Sequence, residues 1–76
     1  MNDYVLKNNL RVLRAKHDIS QEGLAEKVDV TRVTINNIEN SKWVPSTVLA
    51  LKIAKILGVT VEDVFWLAEE KSNTVG

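Results

Sequence analysis

The 76-residue chain has no cysteine, one proline, one histidine, one methionine and three glycines. Without cysteine, neither a disulfide framework nor a thiolate metal site can staple so short a fold. The lone histidine, His17, has no partner constellation for a metal or a general base, and it reads as a surface loop residue. Aromatic residues make up only 5% of the chain. No apolar run reaches the roughly 18 residues of a membrane span. The longest candidate, VLALKIAKILGVTV, is broken by Lys52 and Lys55, and the start lacks a signal-peptide pattern. A soluble cytoplasmic protein is the expectation. Paired carboxylates and a glycine-rich phosphate loop are missing from any convincing context, so neither an enzyme nor a cofactor is expected.

Charge of one sign is also lacking, since ten Lys and Arg balance ten Asp and Glu. A balanced chain is a weak candidate for phosphate attraction as a whole, but the distribution is uneven. Residues 1–60 hold nine basic residues against six acidic ones, and residues 61–76 hold one against four. The split predicts one mildly positive face and an anionic far side. A hydrophobic share of 45% suits a globule, and this length suits one domain over residues 1–76 with a marginal core. Dimerisation would supply further burial.

The stretch that organises the rest is SQEGLAEKVDVTRVTINNIEN, residues 20–40. Ser20 is a good N-cap for a helix over residues 21–28, which places Leu24, Ala25 and Val28 on one stripe. Asp29 and Val30 make the turn, Asp29 tolerating the left-handed backbone required there. Thr31 caps the next helix, whose inward stripe is Ile35 and Ile38. Thr31, Arg32, Val33, Thr34, Asn36 and Asn37 are left near its start and on its exposed side. Amides, hydroxyls, one Arg and an apolar tip are the chemical set that reads base edges in a major groove, so the stretch reads as a DNA-binding helix-turn-helix.

Around it, Tyr4, Val5 and Leu6 form a short extended-looking run. Asn8 offers a cap for a helix of about nine residues, with Leu10 and Leu13 inward and Arg11, Arg14 and Lys16 outward or flanking. Pro45 holds Val44 extended. Ser46 caps a fourth helix that ends at Gly58, with Leu49, Ala50, Ile53, Ala54, Ile56 and Leu57 inward. Val48 and Leu51 fall on its opposite side beside Lys55, where a monomer would place polar groups. With Trp66 they form a candidate patch for a second subunit. Thr60 and Asp63 make a capping box for a short fifth helix, with Val61, Val64 and Phe65 inward. Residues 65–68 have the composition of a strand, and residues 69–76 read as a frayed polar tail.

The apolar positions Leu24, Ala25, Val28, Val30, Ile35 and Ile38, led by Gln21 and closed by Glu39 and Asn40, resemble the lambda-repressor-like, Cro/cI-type helix-turn-helix family. The likeness begins at Asn9, Leu10, Arg11, Leu13 and Arg14. It continues through Lys42, Trp43, Pro45 and Ser46 into Lys52, Ile53, Ala54 and Lys55, covering roughly residues 8–66. It implies an all-α fold, a compact five-helix bundle, with a two-stranded ribbon between the terminal segments as some relatives have. It implies base reading by Arg32, Val33 and Asn37, with phosphate or supporting roles for Gln21, Thr31, Thr34, Asn36, Asn40, Lys42 and Trp43. It implies an ion pair of Arg14 with Glu39, tying the first helix to the third. By resemblance the partner is double-stranded operator DNA, bound as a homodimer on a palindrome through successive major grooves. The activity implied is repression of transcription. No small-molecule ligand and no membrane are expected.

Three residues depart from the family pattern: Gly23 inside the second helix, Asp29 where the turn usually has Gly, and Ser41 where Gly usually follows the third. Val33 also replaces a commonly polar reader. A rival reading takes the same bundle as a protein-interaction module of antitoxin type, for which exposed Val48, Leu51 and Trp66 would serve equally.

Overall fold

A computed structural model describes residues 3–70. Elements run in the order β1 Asp3–Asn8, α1 Leu10–Lys16, α2 Gln21–Lys27, α3 Arg32–Glu39, α4 Thr47–Leu57, α5 Val61–Val64 and β2 Phe65–Glu70. The start of each helix from α2 onward is written in its cap. Ser20, Thr31, Ser46 and Thr60 each accept a hydrogen bond from the main-chain N–H three residues on. At Thr60 the capping box closes, because Asp63 accepts from the Thr60 N–H in return. Turns are set by left-handed residues: Asp18, Asp29 and Ser41 have φ of 51°, 60° and 58°, and Gly58 has 68°. Asp29 thus adopts the conformation anticipated for the turn. Ser41 adopts the one for which the family uses Gly, at a steric cost that Gly avoids.

The core is one cluster drawn from every helix: Leu10 and Leu13, Leu24, Ala25 and Val28, Ile35 and Ile38, Leu49, Ile53, Ala54 and Leu57, Val64, with Phe65 from β2. Ala25 lets α2 approach α3, since its 2% exposure leaves no room for a longer side chain. Gly23 has a local reason as well. A Cβ there would stand 3.1 Å from Ser20 Oγ and 3.3 Å from Ile19 Cγ1, crowding the cap of its own helix.

Several expectations are corrected. The five helices and the ribbon are present as expected, but the all-α label does not hold, because the ribbon is a regular antiparallel pair in which Asp3 pairs with Glu70 and Asn8 with Phe65. Tyr4, Val5, Phe65 and Trp66 favour the pleated surface, which accounts for the strands. Glu69 and Glu70, expected in the frayed tail, complete β2; the remainder of that tail lies outside the described residues. Helix α1 has seven residues rather than about nine. Asn8 lies one position too early to be its N-cap, yet its Oδ1 accepts from the Leu10 N–H at 3.0 Å. Ile56, expected inward, is 42% exposed. At about 100° per residue it lies roughly 90° from the middle of the arc set by Leu49, Ile53, Ala54 and Leu57.

Candidate nucleic-acid interface

Helix α3 is fixed from beneath and open above. Its buried side is Ile35 and Ile38, both at most 1% exposed. At its first turn Thr31 Oγ1 accepts from the Thr34 N–H at 3.3 Å, and the two hydroxyls are 3.2 Å apart. At its last turn Glu39 gathers the surrounding elements. The Glu39 side chain is 1% exposed. Its Oε1 accepts from Arg14 Nη2 at 3.1 Å and from Gln21 Nε2 at 3.0 Å, and its Oε2 accepts from Arg14 Nε. Arg14 Nη1 donates to the Ile19 carbonyl at 3.0 Å, so the same guanidinium also closes the corner between α1 and α2.

Burial pushes the Glu39 carboxyl upward, but hydrogen bonds from Arg14 and Gln21 outweigh it, aided by the charges of Arg14 and Arg11. The net result lies below the ordinary value of 4.5. Glu39 is therefore an anion at neutral pH, and Arg14 is its matched, bidentate partner.

The network continues outward. Gln21 Nε2 also donates to Asn36 Oδ1 at 3.3 Å, which accepts again from Asn40 Nδ2 at 3.0 Å. Asn40 Nδ2 reaches the Asn36 carbonyl at 3.0 Å as well, tightening the end of α3. Both hydrogens of the Gln21 amide nitrogen are thereby engaged within the fold.

What remains free is the outer face. Arg32 and Val33 are exposed and Asn37 is half-buried. No hydrogen bond engages the side chains of Arg32 and Asn37 among the described residues. Lys42 and Trp43 project from the loop after α3, with Trp43 52% exposed. Arg32, Val33, Asn37, Lys42 and Trp43 thus differ from Gln21, Asn36 and Asn40, whose side chains meet at Asn36 Oδ1.

The second predicted surface lies elsewhere. Val48 and Leu51 are 63% and 53% exposed on α4, with Lys55 beside them, and Trp66 on β2 is 43% exposed. Ile56 lies on the flank of α4, between this surface and the core.

Two residues with positional importance escaped the sequence reading. Asn8 donates from Nδ2 to the Ile38 carbonyl at 3.0 Å, clamping the start of α1 to the end of α3. Arg11, 68% exposed, donates from Nη2 to Asn40 Oδ1 at 3.4 Å and lies 3.6 Å from Glu39 Oε1. The one signal for Arg11 was its spacing of three from Arg14, which puts both guanidinium groups on one side of α1. Nothing in the sequence marked Asn8 as a bridge.

Two capped helices set at a left-handed turn, the second braced within and polar without, define a helix-turn-helix protein. A family model described as helix-turn-helix matches residues 10–64, and the chain belongs to that family. It is 52% identical over 65 residues to an uncharacterized HTH-type transcriptional regulator, YgzD, of Bacillus subtilis strain 168. That match covers 86% of this chain and 98% of the relative. It is 40% identical over 68 residues to the control protein C.MunI of a Mycoplasma species, covering 86% of this chain and 92% of the other. The fold superposes with a TM-score of 0.68 on the clp gene regulator ClgR from Corynebacterium glutamicum, at 28% identity. There 71% of this chain matches 57% of the other, so the chain spans little more than half of that regulator. The protein is accordingly a transcriptional regulator with a helix-turn-helix, and not an enzyme. Among the described residues no group of His, Asp or Glu is arranged to hold a metal, and no helix is long and apolar enough to cross a membrane.

Proposed function

We propose that the chain is a sequence-specific regulator that binds double-stranded operator DNA as a homodimer and represses transcription by occupying the site. The observation that carries this reading is the division of α3. Its inner residues are locked into the core and the Glu39 network, whereas Arg32, Val33 and Asn37 face outward with no internal polar partner. A rigid helix with a free amide and a free guanidinium on one side can enter a major groove without repaying side-chain rearrangement.

Arg32 would take guanine O6 and N7, Asn37 adenine N6 and N7, and Val33 a thymine methyl, each good bidentate contact discriminating by about 1–3 kcal/mol. Thr31, Thr34, Lys42 and Trp43 would meet the backbone, which positions the helix without specifying sequence. Gln21, Asn36 and Asn40 act chiefly as braces, since their side chains are mutually engaged.

One recognition helix spans too few base pairs for useful selectivity. Two copies related by a two-fold axis would place their α3 helices about 34 Å apart on a palindrome. Val48, Leu51, Lys55 and Trp66 supply the surface for that second copy, with Ile56 at its margin and Lys52 between Ile56 and Val48. The name of C.MunI, a control protein, accords with a regulatory role.

Selection of bound duplexes from a random pool, repeated at two salt concentrations, tests the proposal. The expected product is a palindromic consensus, with affinity falling steeply as salt rises. Enriched duplexes without symmetry would remove the dimer, and no enrichment at either salt would remove the DNA reading.

A further inference from the structure

The ribbon forms one side of a second feature, which shares only Trp43 with the proposed DNA face. An open groove of about 610 Å³ runs between β1 and the loop after α3. Five consecutive residues of β1, Tyr4 to Asn8, line one side, with Ser41, Trp43 and Val44 opposite and the largely buried Ile38 and Phe65 in its lining. Five of the six residues of β1 line it in turn, joined by Phe65, Ala68, Glu69 and Glu70 of β2, so the groove runs along the ribbon. At about 3.3 Å per residue the lining is roughly 16 Å long.

Because the sheet has two strands, β1 is hydrogen-bonded along one edge only. Its other edge carries main-chain N–H and C=O groups with no ladder partner among the described residues. Such edges are ordinarily blunted by proline, a bulge or several lysines. Here β1 has neither proline nor a break in register, and a single lysine, Lys7.

Electrostatics select the occupant. Glu69 and Glu70 line the groove at the end near Tyr4, and Asp3 is paired with Glu70 in the ribbon. These carboxylates repel phosphate, so this surface does not extend the DNA face. Tyr4, Trp43 and Val44, between 52% and 68% exposed, offer apolar contact instead.

We propose that the groove captures an extended peptide segment of a partner protein, which adds a third strand along the free edge of β1. Main-chain pairing supplies the bond, alternate apolar side chains of the peptide settle against Trp43, Val44 and Phe65, and a Lys or Arg sits at the Glu69–Glu70 end. The inference stands independently of the operator reading, although both use Trp43. Peptide and DNA therefore compete for that side chain.

The test is selection of peptides from a random library on the full chain, followed by titration of the best binder while the main-chain amides and Trp indoles are observed by NMR. The expected peptides alternate apolar residues and carry a basic residue at one end. Their binding shifts the amides of residues 4–8 and the Trp43 indole. Methylation of alternate peptide amide nitrogens should weaken binding at least about tenfold, and Glu in place of the basic residue at least about threefold. A failure to enrich any peptide would overturn the inference, as would binders indifferent to N-methylation or binders that shift only residues of α4. A chain mass above that of a dimer, lowered by Tyr4→Lys, would also overturn it by showing that a second copy fills the groove. None of these outcomes bears on duplex selection, so failure here is separable from failure of the DNA reading.

Discussion

Replacing Glu39 by Gln removes one charge and almost no volume, so it isolates what the carboxylate does. In the native fold that carboxylate is 1% exposed and accepts from Arg14 and Gln21, and Arg14 is itself only 14% exposed. The substitution strands a largely buried guanidinium and turns an amide NH2 toward groups that are already donors. Breaking a buried pair costs about 3–5 kcal/mol; Arg14 keeps its bond to the Ile19 carbonyl, so the low end, about 3 kcal/mol, is expected. For a domain of this size that corresponds to a fall in Tm of roughly 12–24 °C. Urea titration at fixed chain concentration measures it, because dimerisation would otherwise mix into the midpoint.

The pH dependence gives a second readout. The Glu39 carboxyl is held below its ordinary 4.5 in the folded chain, so the unfolded chain takes up its proton first. The stability it contributes is therefore complete above the ordinary value and is lost as pH falls through the lowered one. The Gln variant lacks this component, and the gap between the two proteins should narrow on acidification below about 4.5. A loss under about 1 kcal/mol at pH 7, the range of a solvated surface pair, would refute this account of Glu39. So would a gap that stays constant down to pH 3.

Further outcomes are expected elsewhere in the chain. Gly58→Ala introduces a Cβ that meets nothing within 4 Å, so the cost is that of the left-handed backbone alone, about 1 kcal/mol by thermal or urea unfolding. A negligible loss would mean that the end of α4 adapts freely. Thr60→Ala opens the capping box of α5 and should cost about 1 kcal/mol. The same change at Thr47, one residue past its own cap, should cost far less. Val48→Lys with Leu51→Lys should yield a monomer by sedimentation with the helical signal intact; a dimer that persists would place the subunit contact on another surface.

Local chemistry made most of the framework readable. Four hydroxyl caps, the αL residue Asp29, the stop at Gly58 and the Thr60–Asp63 box are each decided within three or four residues, and the folded chain keeps them all. The inward stripes of α2 and α3 follow from spacing alone. What sequence missed is decided across space. Asn8 looks like a cap, and its bond to Ile38 exists only once β1 has been laid beside α3. The extent of β2 depends on pairing with β1, which recruits Glu69 and Glu70 despite their poor strand preference. Ile56 has the right spacing for the core but lies at the edge of an arc whose centre the other elements fix. In the recognition face, residue types identified the groove-facing set. They could not tell that Asn36 accepts from both Gln21 and Asn40 while Asn37 stays free, because all three are Asn at helical spacing.

The central claim concerns Arg32 and Asn37, and the direct measurement is duplex affinity by fluorescence anisotropy for the chain and for Arg32→Ala with Asn37→Ala, alongside chain mass by sedimentation. Two bidentate contacts of about 1–3 kcal/mol each predict that the double variant loses at least about thirtyfold in affinity for the selected duplex. Binding to random duplex should change far less, and mass and unfolding midpoint should be unchanged. A double variant that still prefers the selected duplex by its original margin would contradict the account.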